Sequence, residues 1–188
     1  MSRYIRTHQS TIMNSTVLKK RLYLARATVW LLVLQACGQT TDNAYALMLK
    51  GMYKNTVPQV KSAQLYQRLQ SQGNKPLLLD TRTPAEYKVS HIAGARFVAY
   101  DAFQVKQLQD VPKETPIIVY CSVGYRSERV GEQLLEAGYK NVHNLYGGMF
   151  EWVNEDYPVY NAAGKTDRVH PYAATWGIWL QKGEKVYE

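Results

Sequence analysis

The sequence predicts an α/β domain in which helices cover both faces of a central parallel sheet. Short apolar runs alternate with helix-like stretches along the chain. Two of the runs, at 76–80 (PLLLD) and 116–120 (PIIVY), are apolar almost throughout, which is typical of strands buried on both faces. Because such sheets hold their reactive groups beyond the carboxyl ends of the strands, Asp80 and Cys121 are expected at that edge.

The first half of the domain contains four predicted elements. They are a helix at 44–54, an edge strand at 57–60, a helix that begins at Ser62, and the strand at 76–80. The helix from Ser62 has apolar residues at Leu65, Tyr66 and Leu69, spaced to form one face. The sequence GNK at 73–75 is expected to end it.

The second half continues the alternation of strands and helices. The predicted elements are a helical turn at 84–90, a strand at 96–100, a helix near 101–110, the strand at 116–120, a helix at 127–138, a strand at 142–145 and a helix at 147–156. The helix at 127–138 has Val130, Leu134 and Leu135 on one face, and Gly138 is its stop signal.

The last segment, 161–188, carries an aromatic pattern. Tyr172, Trp176, Trp179 and Leu180 are spaced as one face of a helix, and we expect this face to pack on the domain. A helix that docks a partner or lies on a membrane surface is the other interpretation. The mixed charge of the segment favours packing.

The formal net charge of +8 is concentrated at the N-terminus. Residues 1–36 contain six basic residues and no acidic residue, which leaves 17 basic against 15 acidic residues in the remainder. A basic face that could bind nucleic acid is therefore not expected on the domain.

The N-terminal region is typical of an export signal. The ten residues 27–36 (ATVWLLVLQA) are apolar and follow the basic stretch, but they are too short to span a bilayer. The sequence LQAC ending at Cys37 resembles the lipobox of bacterial lipoproteins, in which the cysteine receives a lipid. We therefore expect a signal peptide at 1–36, with translation starting at Met1 or Met13. A lipidated Cys37 and a tether with a short helix at 37–56 would then attach the protein to a membrane of the bacterial cell envelope, facing the periplasm or the exterior.

Cys37 and Cys121 are the two cysteines of the chain. If Cys37 carries a lipid, Cys121 is an unpaired thiol in an exported protein, and an idle thiol is a liability there. A disulfide between the two is the other interpretation. We favour lipidation and a functional Cys121.

The stretch CSVGYRS at 121–127 is suited to hold an anionic sulfur. Gly124 can adopt the positive φ of a tight curl, and a curl before a helix directs several N–H groups inward. Arg126 adds a cation, so hydrogen bonds and charge would favour the thiolate of Cys121. The other interpretation of Cys121 is a small buried hydrophobic residue at a strand end.

Three motifs resemble those of the single-domain rhodanese family, a group of thiosulfate sulfurtransferases. The stretch CSVGYRS matches the family's Cys-x-x-Gly-x-Arg-Ser loop, LLLDTRTPAEYKVSHIAGA at 77–95 matches its upstream signature, and LYGGMFEWVNEDYPV at 145–159 matches its closing segment. The resemblance covers residues 57–160 and leaves 161–188 as an extension. Ala93 and Phe150 depart from the family pattern at packing positions.

The resemblance implies a rhodanese-like three-layer fold and a persulfide mechanism. Cys121 would take the outer sulfur of thiosulfate or a similar donor and pass it to cyanide, a thiol or a protein acceptor. The N–H groups of residues 122–126 would stabilise the transferred charge, and Arg126 would orient the donor. The substrate-binding loop would comprise Ser122, Val123, Gly124, Tyr125 and Ser127. No metal or cofactor is expected.

Three residues outside the loop have structural interpretations as well. Asp80 and Arg82 would brace the site, or else serve as a helix N-cap and a salt bridge. His91 is interpreted as a hydrogen-bonded structural histidine, because the mechanism needs no base once the thiolate has formed.

Two functions other than sulfur transfer are alternatives. Phosphatases and arsenate reductases use a similar cysteine loop, but their arginine comes one residue later than Arg126. A module without enzymatic activity could instead bind a partner or sense redox state through Cys121.

Overall fold

The computed structural model describes Lys20 and residues 43–187. The chain divides into two compact units, Met1–Leu47 and Met48–Glu188, and the second unit contains the sheet and the site. The predicted signal peptide and the lipidation of Cys37 lie outside the described residues. Within the described part, no helix is long and apolar enough to cross a membrane.

The described elements follow the predicted alternation. In chain order they are α1 (43–52), β1 (Gln59–Val60), α2 (Ser62–Gln70), β2 (Leu77–Asp80), α3 (Pro84–Val89), β3 (Arg96–Phe97), β4 (Ile117–Tyr120), α4 (Tyr125–Glu136), β5 (Val142–Leu145), α5 (Gly148–Asn154), β6 (Val159–Asn161), β7 (Gly164–Thr166), β8 (Arg168–Val169) and β9 (Glu184–Lys185).

A five-stranded parallel sheet forms the centre of the domain, with strand order β1-β5-β4-β2-β3. This confirms the predicted fold class, and it confirms that the strand at 57–60 lies at an edge. Asp80 is paired with Tyr120 in the register of β2 and β4. The next residue of each strand, Thr81 and Cys121, therefore emerges at the same edge of the sheet.

The core lies between the sheet and α4. Every residue of β4 is buried, as expected for a strand covered on both faces. Val130 and Leu134 of α4 are fully buried in the same cluster as Val119 of β4. Burying each such side chain contributes about 1.5–3 kcal/mol, so this contact fixes the start of α4 relative to the end of β4.

The predicted helix near 101–110 is wrong. The segment forms two short 3-10 turns, Tyr100–Ala102 and Val105–Leu108. Phe103 and Leu108 both enter the core, and residues five positions apart do not share a face of an α-helix. The extended backbone of Phe103 between the turns allows both side chains to be buried. The strand predicted at 96–100 is limited to Arg96–Phe97.

The predicted helix of the C-terminal segment is also wrong. Tyr172 has a φ of 66°, outside the range of a right-handed helix, and only Gly177–Trp179 form a 3-10 turn. The segment instead returns to pair β9 with β8. The predicted packing on the domain holds in part. Leu180 is fully buried and the Asn154 side chain of α5 donates to the carbonyl of Trp179, whereas Tyr172 is 53% exposed.

Candidate active site

Cys121 directly follows β4, and its side chain is buried. The chain then reverses at Gly124, which has a φ of 94° and precedes the first residue of α4. This helix begins at Tyr125, two residues earlier than predicted, because the left-handed turn at Gly124 completes the reversal at once. The loop around the thiol therefore comprises residues 121–124, and Arg126 lies in the first helical turn.

The start of α5 holds the first two carbonyl groups of the loop. The backbone N–H of Met149 donates to the carbonyl of Cys121 at 2.8 Å, and that of Phe150 donates to Ser122 at 3.0 Å. A side chain at Gly148 would prevent this approach, since its Cβ would lie 2.3 Å from the carbonyl oxygen of Cys121. The two backbones can meet only because this position is glycine.

Two side chains hold the next two carbonyl groups. The hydroxyl of Tyr53 donates to the carbonyl of Val123 at 2.6 Å. The side-chain amide of Asn144 donates to the carbonyl of Gly124 at 2.9 Å. Asn144 is itself oriented by the hydroxyl of Ser127, which donates to its Oδ1 at 2.7 Å. All of these groups are buried, so these hydrogen bonds fix the path of the loop.

The outward carbonyl groups determine where the N–H groups point. In a planar trans peptide the N–H is directed opposite to the preceding carbonyl, and the described residues contain no cis peptide bond. The N–H groups of residues 122–125 therefore face the inner side of the loop. One of them, from Gly124, donates to the sulfur of Cys121 at 3.1 Å.

Arg126 is held beside the sulfur by Glu86. The guanidinium donates to both carboxylate oxygens of Glu86, at 3.0 and 2.9 Å, and to the hydroxyl of Ser122 at 3.0 Å. That hydroxyl in turn donates to Glu86. The side chain of Glu86 is completely buried, whereas that of Arg126 retains 17% of its exposure. The guanidinium of Arg126 is therefore held in place at the wall of the cavity.

The pKa values of the pair reflect mutual stabilisation. Burial would raise the pKa of Glu86, but hydrogen bonds and charge from Arg126, together with the charge of Arg82, outweigh it and lower the value. Burial would lower the pKa of Arg126, but the charges of Cys121 and Glu86 raise it overall. Both groups are thus held in their charged forms at neutral pH.

Asp80 and Arg82 form a completely buried ion pair behind Glu86. The Nη2 of Arg82 lies 2.7 Å from Oδ2 of Asp80. The same nitrogen donates to the carbonyl of Ser90 at 2.5 Å. The salt-bridge interpretation is confirmed, but the N-cap interpretation is wrong, because Thr83 caps α3. Arg82 acts on the site through its charge, which helps to lower the pKa of Glu86.

His91 has the structural role that was predicted for it. Its ring stacks on Tyr87 with a centroid distance of 4.1 Å, and its Nδ1 lies 3.0 Å from the carbonyl of Tyr87. Its backbone pairs with Tyr160.

Within the described part of the chain, no group of three or more His, Cys, Asp and Glu residues is placed to hold a metal ion.

A cavity of about 200 Å³ opens over the thiol. Of the predicted loop residues, Cys121, Ser122, Val123, Tyr125 and Arg126 line it. Gly124 does not, although its N–H donates to the sulfur. Ser127 does not, since its hydroxyl is turned to Asn144. Met52, Tyr172 and Trp176 complete the lining and were missed from the sequence.

Glu86 and Tyr53 are the other site residues that the sequence analysis missed. Glu86 stands third after Thr83, where a capping-box glutamate is expected, and it does accept the N–H of Thr83 at 2.9 Å. Its position in the upstream motif was the available signal. Tyr53 lies 70 residues from its partner Val123, and no pattern in the sequence connects them.

The comparison with family models matches residues 62–155 to the Rhodanese-like domain. The match covers α2 to α5, including Glu86 and the whole loop. It does not include Met52 or Tyr53 on one side, nor Tyr172 and Trp176 on the other.

Curated relatives and solved structures agree with this match. A protein named Sulfurtransferase from Allochromatium vinosum is 32% identical over 108 residues, which are 57% of this chain and 99% of that protein. Thiosulfate sulfurtransferase GlpE from Coxiella burnetii is 34% identical over 76 residues, 40% of this chain and 70% of that protein. The solution structure of the Rhodanese-like domain of Anabaena sp. Alr3790 has a TM-score of 0.51 at 25% identity and covers 55% of this chain and 79% of that one. Longer relatives also match, and the chain spans 23% and 27% of the length of two of them.

Proposed function

Because this chain belongs to the rhodanese-like family, we propose that it is a sulfurtransferase that carries a sulfane sulfur as a persulfide on Cys121. The donor is thiosulfate or a similar compound, and the acceptor is a small thiol, cyanide or a protein thiol. The relatives named Sulfurtransferase and Thiosulfate sulfurtransferase support this assignment.

The observation that carries the proposal is the arrangement of the loop around the sulfur. The carbonyl groups of residues 121–124 are bound from outside, and the Gly124 N–H contacts the sulfur. A persulfide places a second, negatively charged sulfur inside this ring of N–H groups. Preorganised donors of this kind stabilise developing charge without rearrangement, and removing one costs about 2.7–4 kcal/mol in a transition state.

The chemistry consists of two displacements at sulfur. The thiolate of Cys121 attacks the outer sulfur of the donor and forms a new S–S bond. The original S–S bond of the donor breaks, and its electron pair leaves with sulfite when the donor is thiosulfate. The acceptor then attacks the outer sulfur of the persulfide, and the electron pair returns to Cys121 as thiolate. Neither displacement requires an outside oxidant or reductant.

Arg126 and Ser122 contribute to both displacements. Because Glu86 fixes the guanidinium at two points, Arg126 holds its charge near the sulfur without reorganising during the reaction. The fork of the guanidinium is suited to bind a sulfonate oxygen of the donor. The hydroxyl of Ser122 accepts a hydrogen bond from Arg126 and donates one to Glu86, and Ser122 also lines the cavity.

Intact mass after incubation with thiosulfate tests the proposal. We expect a gain of one sulfur atom, located on the peptide that contains Cys121 and released by a thiol or by cyanide. Cys121→Ala should gain none, and Arg126→Ala should gain sulfur more slowly. A wild-type protein that stays unmodified with thiosulfate and with other sulfane-sulfur donors would contradict the proposal.

A further inference from the structure

One wall of the cavity comes from parts of the chain outside the matched family domain. Met52 is the last residue of α1, and Tyr172 and Trp176 belong to the C-terminal segment. Together with Val123 and Tyr125 they surround the thiol with apolar and aromatic side chains. A cavity with such a lining favours a planar or branched apolar group, and an apolar cavity of about 150 Å³ is enough to hold benzene.

The charge of the cavity is low. Arg126 is the one residue among its described lining that carries a cationic side chain, and Glu86 already balances it. Arg129 lies nearby, with its guanidinium carbon 5.6 Å from the centroid of the Tyr125 ring. It is paired with Glu128 at 2.5 Å and with Glu132 at 2.6 Å. An inorganic dianion would therefore meet no uncompensated cation here, and its second charge would lose hydration without a matching partner.

Tyr172 lies beside Arg126 in a backbone conformation that a tyrosine rarely adopts, and 53% of the residue is exposed. Its φ is 66°, in the left-handed region that disfavours bulky residues. Its N–H donates to Nδ1 of the buried His170 at 3.0 Å. Its ring lies 4.9 Å from the guanidinium carbon of Arg126. Backbone strain that the surrounding structure maintains is concentrated at functional sites, and here it places an aromatic ring at the mouth of the cavity.

We infer that the C-terminal segment selects an organic sulfur donor, in which an aryl or alkyl group replaces one charged oxygen of thiosulfate. The donor class is a monoanionic thiosulfonate or a chemically similar organic sulfane-sulfur compound. Its apolar group would contact Tyr172, Trp176 and Met52, while one sulfonyl oxygen would face Arg126. This inference rests on the proposed persulfide chemistry of Cys121 and adds the substrate class.

The transfer step is balanced for such a donor. The thiolate of Cys121 forms a bond to the terminal sulfur of the thiosulfonate, and the bond between that sulfur and the sulfonyl sulfur breaks. The electron pair leaves with the sulfinate anion. One negative charge remains on the persulfide and one on the sulfinate, as in the reactants.

Three donors separate the effect of charge from the effect of the apolar group. They are thiosulfate, methanethiosulfonate and benzenethiosulfonate, each used with the full chain and a cyanide acceptor. Each kcat/KM is divided by the rate of the same donor with a small free thiol, which removes differences in intrinsic reactivity. We expect the normalised kcat/KM to be higher for methanethiosulfonate than for thiosulfate and highest for benzenethiosulfonate. The value for benzenethiosulfonate should exceed that for thiosulfate by about tenfold or more.

Variants of the C-terminal segment test which residues cause the preference. Trp176→Ala and Tyr172→Ala should each reduce the ratio of benzenethiosulfonate to methanethiosulfonate by roughly two- to tenfold, the range expected for one aromatic contact. Ile178→Ala is the matched control, because this side chain belongs to the same segment, is 66% exposed and does not line the cavity. Its ratio should equal that of the wild type.

The outcomes distinguish the inference from the proposed function. Efficient sulfur transfer from thiosulfate with no preference for the organic donors overturns the inference alone. A preference that both aromatic variants retain also overturns it. Transfer to Cys121 from none of the three donors overturns the proposed function and the inference together.

Discussion

Glu86 and Arg126 form a two-point ion pair beside the sulfur of Cys121, with the carboxylate completely buried and the guanidinium at the wall of the cavity. The pair has two consequences. It fixes the guanidinium of Arg126, the one cationic side chain of the described residues 121–127, and it balances that positive charge. Glu86 also accepts the N–H of Thr83 at the start of α3, so the same carboxylate connects the helix and the active site.

The first prediction concerns Glu86→Gln and the acid stability of the fold. The pKa of Glu86 is lowered in the folded protein, so its ionised form contributes stability above its unfolded value of about 4.3. That contribution is lost as the pH falls through the lower folded pKa. We expect Glu86→Gln to lower the free energy of unfolding at neutral pH by about 1.5–3 kcal/mol, and we expect the difference from wild type to shrink toward acid.

Urea unfolding at several pH values between neutral and about 3 measures this difference. Glu114→Gln is a suitable control, because Glu114 is exposed and its ion pair with Lys140 lies in solvent. A gap between Glu86→Gln and wild type that stays constant into acid would show that the carboxylate charge does not contribute.

The second prediction concerns the hydroxyl of Tyr53. It donates to the carbonyl of Val123 and accepts the N–H of Gly147 at 2.9 Å. Burial raises the pKa of Tyr53, so the hydroxyl keeps its proton and remains a donor. Tyr53→Phe removes one hydrogen bond from each of these two buried backbone groups, which should cost about 1–3 kcal/mol of unfolding free energy. Because the Val123 carbonyl is released, the rate of persulfide formation should fall as well.

Tyr146→Phe provides the matched control for Tyr53→Phe. The two rings pack edge to face with a centroid distance of 6.0 Å, but among the described residues the hydroxyl of Tyr146 has no hydrogen-bond partner. Stopped-flow persulfide formation and urea unfolding should show wild-type behaviour for Tyr146→Phe. Equal effects of the two substitutions would mean that ring packing, and not the hydroxyl, supports the loop.

The sheet and the thiol loop could be predicted from sequence because their signals are local. β4 is an uninterrupted apolar run, Gly124 stands where a left-handed turn is needed, and Val130 and Leu134 have helical spacing. The predicted start of α4 lies two residues too late, because the left-handed turn at Gly124 completes the chain reversal by itself. The prediction of a helix near 101–110 was wrong because the burial of Phe103 and Leu108 in the core overrides the local helix propensity.

The rest of the site could not be predicted because it depends on contacts distant in sequence. Met52, Tyr172 and Trp176 reach the cavity from segments whose own patterns indicate only helices. Tyr53 reaches the loop from the same first segment. For the C-terminal segment that pattern was misleading, since the strand pairing of β8 with β9 determines its path. Glu86 was visible in a motif, but its contact with Arg126 requires the sheet to bring α3 beside α4.

The third prediction concerns Cys37. We propose that this residue carries a lipid, on the basis of the apolar stretch 27–36 and the sequence LQAC. Cys37→Ala should abolish incorporation of a labelled fatty acid and leave an uncleaved precursor or a mislocalised protein in a bacterial host. Cys121→Ala should be labelled normally. Wild-type processing and membrane fractionation of Cys37→Ala would contradict the lipid assignment.

The fourth prediction compares two glycines that have similar backbone angles but different surroundings. Gly124 has a φ of 94° and Gly138 a φ of 88°. A Cβ on Gly124 would lie 2.2 Å from the hydroxyl oxygen of Tyr53, whereas a Cβ on Gly138 would meet nothing within 4 Å. Both alanine substitutions should cost about 1–2 kcal/mol for the left-handed conformation. Only Gly124→Ala should also displace Tyr53 from the loop.

We therefore expect similar small losses of Tm from the backbone strain, about 2–4 °C for each kcal/mol, with a further loss for Gly124→Ala. Persulfide formation should fall by at least tenfold, and by up to about a hundredfold, in Gly124→Ala, because displacement of the loop moves its N–H groups away from the sulfur. Gly138→Ala should react at the wild-type rate, since its helix end lies away from the cavity. Thermal unfolding and intact mass against time measure both properties on the same samples. If Gly124→Ala forms the persulfide as fast as Gly138→Ala, the contact between Tyr53 and the loop does not set the geometry of the thiol site.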